Sequence, residues 1–123
     1  MLNSTSYHDC IEERDYHNLM GGIFASLSRK YLVESNKESG NGRYDHILVP
    51  KTNNPSNIAF IFEYKVGREE NKLETEAESG LNQIEKKRYD TQIRQNKRVK
   101  KIIKICLVFW QKKAIVKYKE EEI

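Results

Sequence analysis

Apolar residues recur three and four positions apart from Tyr16 onward, through Leu19, Met20, Ile23, Phe24, Leu27 and Tyr31, which lays one apolar stripe along a helix. Asp9 with Glu12 three residues later has the capping-box arrangement, with Asp in the hydroxyl's place, so the first helix is expected over 9–29 behind a frayed arm at 1–8. Gly21 and Gly22 each cost such a helix about 1 kcal/mol relative to Ala, which suggests close approach by another element. Beyond it, Tyr31 to Ser35 reads as a strand, Ser39-Gly40-Asn41-Gly42 as a reversal, and Tyr44 to Val49 as the returning strand of a hairpin. After the loop 50–57, residues Ile58 to Val66 begin apolar on both faces, as a central strand would.

Leu73, Ala77, Leu81 and Ile84 are spaced by four, four and three, so 70–88 reads as a second helix with one apolar stripe, many acids on its far side and Gly80 as an interruption. Lys101 to Trp110 reads as a strand with a buried later part, and Ala114 to Lys119 returns beside it after a short turn. The order is α-β-β-β-α-β-β. With 123 residues, one domain over 9–119 is expected, with 120–123 as an acidic tail.

Composition narrows the class. Hydrophobic residues at 37% and charged residues at 33% exclude a disordered chain, and no apolar run approaches the roughly 20 residues of a membrane span. With no apolar leader at the amino terminus, a cytoplasmic protein is expected. Cys10 and Cys106 have neither disulfide-framework nor zinc spacing and read as packing residues. The net charge of +4 conceals an asymmetry: nine Lys or Arg against Asp90 alone lie between Lys86 and Lys104, while the remaining residues sum to −4. Lys86, Lys87, Arg88, Arg94, Lys97 and Arg98 are therefore candidates to hold a phosphate backbone, against the plainer reading of a solvated face.

The alternation of Ile58 to Val66 puts Glu63 and Lys65 on one face with Ala59 and Ile61. A carboxylate and an ammonium at the end of a hydrophobic strand lose hydration that each other, a metal or a substrate must replace. Asp45, near the start of the preceding strand, can come beside Glu63 if the two strands pair antiparallel. Two converging carboxylates repel unless a cation lies between them, and hard oxygen ligands with open water positions suit Mg2+ or Mn2+. Such an ion, with Lys65 alongside, serves phosphodiester hydrolysis.

Gly42-Arg43-Tyr44-Asp45 followed by a strand carrying Glu63-Tyr64-Lys65 and then a helix resembles the PD-(D/E)XK nuclease superfamily. The blocks ERDYHNLM, ESGNGRYDHILVPK, IAFIFEYKV and LNQIEKKRY resemble, over about residues 13–110, the branch often found behind AAA-ATPase-like domains. The resemblance implies an α/β, restriction-endonuclease-like core with a central mixed sheet flanked by helices. It implies Asp45 and Glu63 as metal-binding carboxylates and Lys65 as the catalytic lysine. It also implies Glu13 on the first helix as a further metal ligand, against an exposed helix acid, and Gln83 as a glutamine near the metal water or a base, against a polar neighbour of a buried strand. His17, four residues after Glu13, reads as a ligand or as a hydrogen-bonded core histidine. Tyr44 stands where the superfamily's name has proline, and Tyr89 follows Gln83 by six residues rather than the four of the RecB-like branch.

The function so implied is metal-dependent hydrolysis of nucleic acid, DNA before RNA. The alternative is a nuclease-like domain that no longer cuts and serves to bind nucleic acid or protein. No G-x-x-x-x-G-K-[ST] occurs, so ATP-driven action would need an ATPase on another chain. A homodimer would supply the groove that so short a chain lacks.

Overall fold

The computed structural model describes residues 13–38, 43–86 and 93–123. The arm 1–8, the capping residues Asp9 and Glu12, Cys10, the turn 39–42 and residues 87–92, with Lys87, Arg88, Tyr89 and Asp90 among them, lie outside the described residues.

Helix α1 runs Glu13–Leu27 and is followed by strands β1 (Tyr31–Glu38), β2 (Arg43–Pro50) and β3 (Ile58–Val66). A 3-10 turn at Glu70–Lys72 leads into α2 (Leu73–Lys86), and β4 (Lys101–Trp110) and β5 (Lys113–Glu122) close the chain. The five strands lie side by side in chain order. All neighbours are antiparallel except β3 and β4, which are parallel and joined by the crossover that carries α2, as a parallel pair requires. Thus β3 is the central strand, and the mixed sheet with a helix on each face is restriction-endonuclease-like.

The period of two divides the core. On one face Tyr16, Met20 and Phe24 of α1 pack on Leu48, Tyr64 and Phe109. On the other, Leu73, Ala77 and Ile84 of α2 pack with Ile47, Ala59, Ile61, Ile102, Cys106 and Val108, joined by Ile93 and Val99 from the segment between α2 and β4.

Three expectations change. A Cβ at Gly21 or Gly22 would meet nothing within 4 Å, so these glycines face open space rather than a close neighbour. Gly80 does not interrupt α2; it lies inside the helix, where the backbone comes so near the sheet that a Cβ would run into Cys106 Sγ and stand 2.7 Å from Glu63 Oε2. Residues 120–122 are not a tail but the end of β5, paired with β4 and held by ion pairs of Glu120 with Lys101 (3.9 Å) and of Glu121 with Lys104 (3.4 Å). Most acids of α2 are exposed, as expected, and Glu76 is half-buried at the edge of the apolar stripe. No described helix is long and apolar enough to cross a membrane.

Candidate active site

The register of β2 on β3 sets Asp45 directly opposite Glu63. Both residues are 1% exposed, on the face that α2 covers. Their partners in register explain the arrangement: Ile47 opposite Ile61 continues the same face into the core, so the antiparallel pairing that buries the isoleucines delivers the two acids side by side. Each carboxylate has interactions of its own, and one oxygen of each, Asp45 Oδ1 and Glu63 Oε1, is buried without a hydrogen bond.

Lys65 is the next residue on this face. Its ammonium stands 3.7 Å from Glu76 Oε2 on α2, and both side chains are about one-fifth exposed. Glu76 therefore fixes the lysine at the margin of the site, a role that spacing alone did not single out; its signal in the sequence is an acid immediately beside Ala77 of the apolar stripe. Gln83 lies two helical turns after Glu76, on the same flank of α2 and half-buried. The opposite flank, with Glu74 and Glu85, faces β4 and β5 through Lys117, Lys104 and Lys119. Glu76 and Gln83 accordingly occupy the flank toward β3 and β2, where the two acids stand.

The face of the sheet behind the acids is aromatic. His46, next to Asp45, stacks on Tyr64, next to Glu63, with ring centroids 5.4 Å apart and planes 2° from parallel, and on Phe24 of α1 at 4.0 Å. Ser35 Oγ lies 2.7 Å from His46 Nδ1, and His17 Nδ1 lies 2.7 Å from the Tyr64 hydroxyl. Burial, with the nearby His17 charge second, pushes His46 down to about 4. His17 thus belongs to the face opposite the carboxylates. Glu13 begins α1 at the sheet end where Tyr16 donates to the Gln111 carbonyl; its side chain lies outside the description, as does that of Lys86.

Of the basic segment, most of the described side chains are engaged within the molecule. Arg94 pairs with Glu121 at 2.9 Å. Arg98 donates to the carbonyls of Lys51 and Asn54, fixing the loop before β3. Lys104, only 6% exposed at its side chain, sits between Glu85 (3.8 Å) and Glu121 (3.4 Å). Lys97 is exposed.

A family model of the PD-(D/E)XK nuclease superfamily matches residues 11–119, nearly the whole chain. The chain belongs to this superfamily. No curated protein and no solved structure matches it. The PD-(D/E)XK match spans both strands that carry the acids and both helices that flank them. Among the described residues no group of three or more His, Cys, Asp or Glu side chains converges, so the donor set they offer is the Asp45 and Glu63 pair. Two carboxylates suit an ion that keeps several waters, as Mg2+ does, and do not suit an all-protein cage.

Proposed function

We propose that this PD-(D/E)XK protein is a metal-dependent nuclease, in which Asp45 and Glu63 hold Mg2+ or Mn2+ and Lys65 assists the attack of water on a phosphodiester. The observation that carries this reading is the in-register burial of two acids on one face with a lysine as the next residue on that face. Like charges placed directly opposite one another across a sheet are destabilising, and a divalent ion offsets that repulsion. When bound, the ion supplies Lewis acidity and a water of lowered pKa.

The chain's own residues do the rest. Asp45 and Glu63 set the position of the reacting phosphate through their fixed register. Lys65, held by Glu76, orients the attacking water and neutralises the negative charge that grows on the phosphoryl oxygens. Gln83 donates from the flank of α2. Glu13, the first residue of α1, is a further candidate ligand in this reading. Nucleic acid is the substrate, DNA before RNA.

Purified protein incubated with single- and double-stranded DNA and RNA, in Mg2+ and then Mn2+, tests this. We expect cleavage by the wild type and a loss of about a hundredfold or more in Glu63→Ala and Lys65→Ala, the scale on which removal of one electrostatic stabiliser acts. Equal behaviour of wild type and both variants overturns the assignment. Binding without cleavage in any metal favours the alternative of a nuclease-like module that no longer cuts.

A further inference from the structure

Among the described residues nothing covers the α2 face of the sheet out to its edge. Beyond Asp45 the same face of β2 continues through Ile47 and Val49, and its neighbours in register on β1 are Glu34 and Leu32. Two grooves meet there. One, of about 550 Å3, is walled by Leu32, Ile47 and Val49, with Glu34, Gln95 and Asn96 at its sides. The other, of about 520 Å3, shares Leu32 and Asn96 with the first and adds Lys51 and Arg98 as its charged residues, alongside Thr52 and Asn53. Leu32, in both, is 59% exposed, an apolar side chain that the described residues leave open.

The two compartments differ in chemistry. The first has aliphatic walls, a carboxylate and two carboxamides, which match the faces and the hydrogen-bonding edge of a nucleobase and repel a phosphate. The second has two cations and no acid, which match a phosphate. Arg98 is already fixed by its bonds to the carbonyls of Lys51 and Asn54, so its guanidinium loses little freedom on binding. Ile47 and Val49 stand about 7 and 14 Å along β2 from Asp45, the reach of the nearest nucleotides of an extended strand.

We propose that this double groove is a nucleotide subsite for single-stranded nucleic acid: it takes the base of a nucleotide flanking the bond to be cut against Leu32, Ile47 and Val49, and a following phosphate at Lys51 and Arg98. This rests on the nuclease reading of Asp45 and Glu63 and adds where the strand runs, from the paired acids across β2 toward the β1 edge. Base contact here comes from aliphatic side chains and amides rather than from an aromatic platform.

The test compares two probes in fluorescence anisotropy without divalent metal: a short single-stranded oligonucleotide, as DNA and as RNA, and an abasic phosphodiester chain of equal length and charge. The wild type is expected to bind the base-bearing strand about five- to tenfold more tightly than the abasic one, the low end of what base contacts contribute. Leu32→Ser with Gln95→Ala, both at exposed positions, should erase that preference while leaving abasic affinity unchanged, and Lys51→Ala should weaken both probes alike. Thermal melts of each variant separate loss of the groove from loss of the fold. Equal wild-type affinity for the two probes, no binding of either, or a preference that survives the double variant overturns the subsite. Metal-dependent cleavage by the same preparations reads the nuclease assignment separately: a protein that cuts but ignores bases loses only the groove, and one that prefers bases but never cuts loses only the hydrolysis.

Discussion

Gly80 and the glycine pair of α1 show why one residue type carries opposite consequences. In each case Ala would gain up to about 1 kcal/mol of helix propensity. At Gly80 that gain is outweighed, because the added methyl meets Cys106 Sγ and Glu63 Oε2 on a backbone already pressed to the sheet, and overpacking costs about 1–3 kcal/mol. Urea unfolding should therefore find Gly80→Ala destabilised, with part of the loss recovered when Cys106→Ala is added. His46 supplies a pH signature. Its folded value, about 4, lies below the unfolded value of 6.5, so the unfolded chain takes up the proton first as pH falls. The contribution to stability is complete above about 6.5, declines through the window down to about 4, and is gone below it. Unfolding measured across that window should lose up to about 3 kcal/mol, and His46→Phe should flatten the dependence. Glu63→Gln offers a third check at this scale: it relieves the repulsion with Asp45, so the metal-free protein should melt higher than wild type while losing any stabilisation by Mn2+.

At the scale of elements, α1 should respond the other way to its glycines. With nothing within 4 Å of either added Cβ, Gly21→Ala and Gly22→Ala should each stabilise by about 0.5–1 kcal/mol in the same urea experiment. The strands were the most legible elements in the sequence. Ile58–Val66 and Lys101–Trp110 are read to the residue because each is a compact run rich in β-branched and aromatic residues, and burial alternates along most of its length. What could not be read is set by partners distant in the chain. Residues 120–122 have the composition of a solvated tail and become strand because they pair with 101–103 of β4 and their acids reach Lys101 and Lys104 diagonally. Glu76 looks like any surface acid until the crossover sets α2 over β3 and brings Lys65 to it. Glu63 and Lys65 are legible as a pair from strand period, and Asp45 joins them because the register of β2 on β3 sets it opposite Glu63, which the period alone leaves open.

For the whole molecule, charge counting misleads in a measurable way. Of the nine basic residues between Lys86 and Lys104, Arg94, Lys101 and Lys104 hold carboxylates, whereas Arg98 is bonded to carbonyls and keeps its charge for a phosphate. Nine free phosphate contacts on a single strand would give a salt-dependence slope of about −6. The slope of log Kobs against log salt should be markedly shallower here, and a slope near that value would mean that these internal pairs open on binding.

The layer behind the acids bears on all of this. His46 and Tyr64 are the chain neighbours of Asp45 and Glu63, and their stacked rings tie β2 to β3 diagonally across the rung from which the carboxylates project the other way. Phe24 presses on that stack from α1. The gap that an ion must fit is thus gauged from the reverse side of the sheet, and the reactive centre can be tightened or loosened by residues that never come within sight of the substrate.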